Sequence, residues 1–277
     1  MVWNRRGVLP TFDLLDLQPT EDPFTSRLPV RPDLCTPFGF LYGGSGIAAS
    51  IEAAEQVTER PLQWITTQFI GSPPPGSVVD LQVVVPANGK VTTQSQVIAT
   101  VDGEPAFTSL CAHTLRPGGD GAQFVGMPAV PPPADCATMG GPFEVDLSGS
   151  FFGTMERRLA AGTFGLEAVG KPQHGGLAIW CRVIDHPIGS PASQAYVADI
   201  IPMGIGAALG ALPGATSLDN TLRVIDPEPT DWVLLELLPE GFHRSIGHGA
   251  LRIWSEDGRL MATAQQTCII RTSHHAR

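Results

Sequence analysis

The sequence predicts an α+β protein of two similar halves, each an antiparallel sheet wrapped around one long apolar helix, with the two sheets joined edge to edge. Three observations carry this. A pattern recurs at an offset of about 155 residues: "FIGSPPPGSVVDLQV" (69–83) lies over "RVIDPEPTDWVLLEL" (223–237), and "VDGEPAFTSLCAHTLR" (101–116) over "SEDGRLMATAQQTCIIR" (255–271). Asp102-Gly103 thereby matches Asp257-Gly258, and Arg116 matches Arg271. One repeat at so long a period indicates a duplicated domain and not a solenoid. Within each half, β-branched or alternating runs such as "VVDLQVVV" and "VTTQSQVIATV" read as strands. Finally, "GGSGIAASIEAAEQV" (43–57) and "QAYVADIIPMGIGAALGAL" (194–212) are apolar on nearly every side, so each must be enclosed.

The turns support antiparallel pairing. "NGK" (88–90), "DGE" (102–104) and "DGR" (257–259) sit between strand runs, and glycine accepts the positive φ of tight hairpin turns. From 117 to 142, 12 of 26 residues are Pro or Gly, which reads as a linker, extended at "PPP" and unable to join a sheet. The expected organisation is therefore an N-terminal half with an arm at 1–116, a linker at 117–148, and a C-terminal half at 149–277.

Composition narrows the function classes. With 277 residues, 43% hydrophobic and 16% charged, the chain has ample material for a core. A formal net charge of −10 argues against nucleic acid and anionic membrane as partners, and any anionic ligand must meet a local basic patch. The five cysteines (Cys35, Cys111, Cys136, Cys181, Cys268) form no CxxC pair and no metal-ligand spacing, so no metal or other cofactor is expected and a reducing compartment fits. "MVWNRRGVLPTFDLLDL" lacks the apolar core of a secretory signal, and Pro202 and Pro213 interrupt the greasiest stretch short of a bilayer span. A cytoplasmic location is the resulting expectation.

Asp199 stands out, because a carboxylate in so apolar a segment is costly unless paired, hydrogen-bonded or protonated. The offset places Asp199 over Gly44 and Gln266 over Cys111, so the second half has gained polar groups where the first is small or apolar. In "LMATAQQTCII", Leu260, Ala262, Ala264, Gln266, Cys268 and Ile270 form the more apolar face, which turns Gln266 inward towards the Asp199 helix. A carboxylate and a carboxamide converging in an apolar enclosure could bind and activate one water. Two plainer readings stay open: Asp199 as N-cap of a helix starting at Ile200, with Pro202 in its first turn, and Gln266 as an ordinary core glutamine.

With "LYGGSGIAASIEAA" opening the first half and "GRLMATAQQTCIIR" closing the second, the chain resembles the acyl-CoA thioesterase II family, whose members are double hotdogs. The likeness runs from about Pro37 to Arg271, and is clearest in "WITTQFIGSPPPGSVVDLQV", "TSLDNTLRV" and the last strand. It implies a tandem hotdog fold, an acyl-CoA substrate, and a catalytic Asp, Thr or Ser, and Gln that order the attacking water. Carried over, these are Asp199 in "QAYVAD", Ser217 in "SLDNT", and Gln266 five residues before Arg271. Strand alternation, however, groups Ser217 with Asp219, Thr221 and Arg223, away from Leu218, Leu222 and Val224, so Ser217 reaches the helix only before regular pairing or through a bulge.

The expected chemistry is thioester hydrolysis to fatty acid and CoA without a covalent intermediate. Asp199 takes the water proton, Gln266 and Ser217 hold the water, and backbone N–H groups at Gly43, Gly44 and Ser45 bind the substrate oxyanion. The alternative is a double hotdog that binds acyl-CoA or another acyl ligand without turnover. A serine hydrolase is disfavoured, because "GGSG" (43–46) is no nucleophile elbow and no histidine lies near Asp199 in sequence. Association into a homo-oligomer of double-hotdog units is left open.

Overall fold

Thirteen strands form one continuous antiparallel sheet in a computed structural model of the protein, which describes residues 11–115, 121–140, 147–212 and 214–271. The first six are β1 (Gln18–Pro19), β2 (Thr25–Pro29), β3 (Leu62–Phe69), β4 (Val78–Asn88), β5 (Thr92–Val101) and β6 (Glu104–Thr114). After the Pro/Gly-rich stretch come β7 (Ala137–Thr138), β8 (Met155–Ala161), β9 (Leu177–Val183) and β10 (Gly214–Val224), then β11 (Val233–His243), β12 (Ile246–Ser255) and β13 (Leu260–Arg271). Their spatial order is β1-β2-β4-β5-β6-β3-β10-β13-β12-β11-β9-β8-β7. All strands before the stretch thus lie on one side of the β3–β10 contact, and all strands after it on the other. The two sheets expected edge to edge are a single sheet with its seam there.

The seam has a simple register. β3 and β10 pair Thr66 with Thr221, whose hydroxyls share a hydrogen bond of 2.8 Å. These two residues are 155 positions apart, so positions matched by the sequence offset face each other across the seam.

Helix α1 (Gly43–Thr58) is enclosed by the first-half strands and is buried from Gly44 through Glu55. Its two buried acids accept backbone N–H groups, Glu52 from Phe12 and Glu55 from Leu62, and burial pushes their carboxyls up to about 7 and about 8. The second half departs from the single long helix expected. It carries α2 (Pro191–Ala198) and α3 (Ile201–Leu209), separated at Asp199 and Ile200. Pro202 explains the break: it has no N–H to donate, and its ring collides with the carbonyl four residues back, at Ala198. It is tolerated in the first turn of a new helix, which begins at Ile201 and not at Ile200. Ser190 caps α2 by accepting from the Ser193 N–H, and Gly210, at φ 63°, ends α3.

Two local expectations are corrected. The Pro/Gly-rich stretch does join the sheet: Ala137 and Thr138 pair with Leu159 and Arg158 at its far edge. It also covers an outer apolar patch, where Met127, Val130 and Cys136 pack on Trp180, Leu234 and Trp254 and the Pro131 carbonyl accepts from the Trp180 indole. Of the glycine turns, Gly103 and Gly258 adopt φ of 83° and 86°, but Gly89 does not need positive φ; its lack of a Cβ leaves room for the Thr92 carbonyl. The expected match of Arg116 to Arg271, the stretch at 1–10, and the parts of the linker at 117–120 and 141–146 lie outside the described residues.

Helices α1 and α2 cross closely because Gly44 presents no side chain. A Cβ there would overlap the Tyr42 ring and the Tyr196 carbonyl, which are themselves joined by a 2.9 Å hydrogen bond from the Tyr42 hydroxyl. Gly44→Ala is therefore expected to destabilise the protein by about 1–2 kcal/mol, overpacking outweighing the gain in helix propensity. Urea unfolding checks this: the midpoint falls with the slope unchanged, whereas a raised midpoint contradicts the close crossing.

Candidate active site

The Asp199 carboxylate lies where the chain changes from α2 to α3, only 8% exposed, with no cation among its hydrogen-bond partners. Its Oδ1 accepts from Asn220 Nδ2 at 3.0 Å and from Gln266 Nε2 at 2.6 Å. The Gly44 backbone N–H, at the first turn of α1, also supports it, and Oδ2 lies against Gly43, where a Cβ would overlap it. The carboxylate thus sits between the negative end of α2 and the positive end of α1. Burial dominates and raises its pKa from 3.8 to about 7, while the bonds from Asn220, Gln266 and Gly44 hold it from rising further. Asp199 makes no N-cap of α3, whose N-cap position is Ile200.

Gln266 comes from the inward face of β13, as its alternation predicts, and is 3% exposed. Its Nε2 donates both to Asp199 and to Ser217 Oγ at 2.7 Å, leaving the Ser217 hydroxyl proton free to donate in turn. At the start of β13 the expected alternation fails: a register shift near Met261 buries Met261 and turns Leu260 to the outer Trp180 patch.

Ser217 reaches Gln266 because β10 carries a bulge. Ser217 pairs with Cys268 and Asp219 with Thr267, so Leu218 is the extra residue and is 40% exposed. One added residue reverses the facing of everything before it, which puts Ser217 on the same side as Asn220 and Leu222. Asn220, 1% exposed, is the site residue that sequence reasoning missed. The signal was present, since alternation already placed it on the apolar face with Leu222 and Val224.

The glycine run behaves differently from expectation. The Ser45 N–H bonds the Tyr42 carbonyl at 3.0 Å and its hydroxyl bonds the Leu34 carbonyl, while Gly44 serves the carboxylate. Ser45 is therefore a structural residue of the helix start. Gly43 alone of the three lines the cavity beside Asp199.

That cavity, about 320 Å³, lies between the halves. Asp199 and Ser217 share its wall with Tyr42, Phe69, Phe151 and Met203. Most of its lining is aromatic or aliphatic, with a few polar groups that include Asp199, Thr216 and Ser217, a combination that suits an apolar group held against a polar point. Among the described residues, no group of His, Cys, Asp and Glu could hold a metal ion, and no helix is long and apolar enough to cross a membrane.

One large antiparallel sheet wrapped around a few buried helices fits a hotdog fold. Residues 133–270 match the acyl-CoA thioesterase C-terminal domain family and belong to it; the protein is a thioesterase. Similar solved structures agree. A candidate thioesterase from Novosphingobium aromaticivorans is 29% identical, with a TM-score of 0.82 over 92% of this chain and 98% of that one. A hot dog fold protein from Alicyclobacillus acidocaldarius (21% identity, TM-score 0.82, 94% and 98% covered) shares the fold. So does the acyl-CoA thioesterase II TesB2 of Mycobacterium marinum (17% identity, TM-score 0.73, 96% and 98% covered). No match was found among curated protein sequences.

The raised carboxyl has a consequence for stability. A folded-state pKa above the unfolded one means the neutral form is favoured in the fold; that contribution is full below about pH 4 and lost as pH rises through about 7. Asp199→Asn escapes the loss. The variant is expected to gain on the wild type by about 1–3 kcal/mol between pH 4 and pH 8, and nothing below pH 4. Glu52 and Glu55 share the direction but are common to both proteins, so the difference between paired urea titrations isolates Asp199. A difference that stays flat with pH contradicts the raised pKa.

Proposed function

We propose that the protein hydrolyses acyl-CoA thioesters by direct attack of a water activated by Asp199, in a chain built as two hotdog units with a linker between them and the site in the second. The hydrogen-bonded cluster of Asp199, Asn220, Gln266 and Ser217, of which Asp199 and Ser217 face the cavity, carries this reading. Ionised Asp199 takes the proton of the attacking water, and a base with pKa near neutrality is matched to that task. Asn220 and Gln266 hold its Oδ1, so the carboxylate cannot rotate away. Gln266 Oε1, buried without a partner, accepts from the water, while the Ser217 hydroxyl donates to it. The thioester carbonyl rests at the start of α1, where the Gly43 N–H and the helix dipole stabilise the developing oxyanion. Protonated Asp199 then returns its proton to the departing thiolate.

The same cluster favours turnover over simple binding, since a binding protein gains nothing from a desolvated carboxylate beside its ligand. For the anionic CoA head, Arg271 is well placed. It donates to Thr216 Oγ1 at 2.7 Å, and Thr216 lines the cavity next to Ser217.

The test is thiol release from acyl-CoAs of increasing chain length. Wild-type kcat is expected to rise tenfold per pH unit below about 7 and to level above it. Asp199→Asn should lose about 10²–10⁴-fold in kcat/KM while still binding substrate. Full activity in that variant removes Asp199 from the mechanism. Arg271→Ala should raise KM for acyl-CoA, with no change for the matching acyl-pantetheine, which lacks the phosphates; equal effects on both contradict a phosphate contact.

A further inference from the structure

One residue joins the two helix ends on which Asp199 rests. Tyr42 is the N-cap of α1, and its carbonyl accepts the Ser45 and Gly46 N–H groups at 3.0 and 3.2 Å. Its side chain crosses to the other half, where the hydroxyl donates to the Tyr196 carbonyl at 2.9 Å. Tyr196 lies in the last turn of α2, whose carbonyls lack an N–H partner within their own helix. The break at Asp199 and Ile200 removes the continuing turn that would supply one. The hydroxyl bond thus ties the start of α1, whose Gly44 N–H supports the carboxylate, to the end of α2, which carries it.

Packing holds this contact in place. Tyr42 and Tyr196 are both buried. The Tyr42 ring stacks on Phe151, with centres 3.8 Å and planes 8° apart, and meets the Tyr196 ring edge-on at 5.5 Å. No Cβ stands at Gly44 to push ring and carbonyl apart. Burial, and after it the charge of Asp199, push the Tyr42 hydroxyl well above its usual pKa of 10, so it stays protonated and serves as a donor.

We infer that Tyr42 is a positioning residue, whose hydroxyl caps α2, holds Asp199 against the Gly44 N–H, and so sets how readily that carboxylate takes the water proton. This rests on the proposed role of Asp199 as the base. Two effects act in one direction. The hydroxyl proton brings a positive dipole end to the negative terminus of α2, and the bond keeps the Gly44 amide within reach. Without it the ionised form of Asp199 loses support, and its pKa rises. The titratable groups facing Asp199 are Tyr42 itself and Cys268 of β13, whose thiol burial pushes up to about 11; both stay neutral. Asp219 lies on the opposite face of β10 and accepts the Thr267 N–H, Tyr196 of α2 turns to Thr154, and α3 and β3 carry no titratable side chain.

The experiment compares wild type, Tyr42→Phe and Tyr196→Phe. Tyr42→Phe removes the hydroxyl and keeps the ring. Tyr196→Phe is the control: its hydroxyl bonds Thr154 at 2.8 Å in the same buried cluster, and the backbone carbonyl that Tyr42 uses is untouched. In Tyr42→Phe the rising limb of kcat against pH for acyl-CoA hydrolysis is expected to move up by about half a unit or more. That is a roughly threefold loss of kcat on the limb, with KM little changed. The midpoint of the Asp199 carboxyl carbon, followed by NMR, moves with it, and Tyr196→Phe leaves both in place. A merely structural role lowers kcat by one factor at every pH and leaves limb and midpoint where they were; that result overturns the inference, as do equal displacements in both variants. If no acyl-CoA is hydrolysed, the proposed mechanism falls, and the NMR midpoints alone decide on Tyr42: displaced in Tyr42→Phe only, they support it, and otherwise they overturn it. If Tyr42→Phe does not fold, the wild type decides. The chain has two tyrosines, so in protein carbon-labelled at tyrosine, with Tyr196→Phe for assignment, the Tyr42 ring signal must titrate with the Asp199 midpoint. A Tyr42 signal that ignores that titration overturns the inference.

Discussion

A carboxylate enclosed without a cation must be held by dipoles alone, and much of the second half is arranged to supply them. Hydrogen bonds from two side-chain amides and one backbone amide lower the cost of Asp199 without abolishing it, which leaves its pKa near 7 and not at the ordinary carboxylate value. Each donor needed a separate device. Pro202 breaks the helix so that Asp199 sits at a junction instead of inside a regular turn. The bulge at Leu218 turns Ser217 and Asn220 to the same side. Two glycines at the start of α1 let the other half of the chain approach to contact distance.

This dependence on both halves also explains why the site occurs once. At the offset of 155 residues, Asp199, Asn220, Gln266 and Ser217 correspond to Gly44, Ile65, Cys111 and Leu62, all buried and mostly apolar. Even the bulge has its counterpart, with Gln63 extra between Leu62 and Trp64 as Leu218 is between Ser217 and Asp219. The backbone device is present twice, but the polar side chains are present in one half. The first half contributes its helix start, and so acts as the floor of a site whose walls belong to the second.

Much of this was legible in the sequence. The repeat offset of about 155 residues matches the register of the β3–β10 pair, where Thr66 faces Thr221. Asp199 and Gln266 could be found because each breaks a local apolar pattern that its counterpart keeps. Other features were hidden for physical reasons. Alternation cannot reveal a bulge from one strand alone, so Ser217 looked misdirected. The helix break depends on Pro202 acting on a carbonyl four residues back, and it read as an ordinary first turn. That the Pro/Gly-rich stretch would cover Trp180 and Trp254 depends on long-range packing, which composition does not encode.

The central claim, that burial tunes Asp199 to act as a base at neutral pH, is tested most directly by following its carboxyl carbon through a pH titration by NMR, using protein labelled at aspartate and the Asp199→Asn variant to assign the signal. The account predicts a midpoint near 7 that coincides with the lower limb of the pH–rate profile. A midpoint near the ordinary value of 3.8, or one displaced from the kinetic limb, would contradict it.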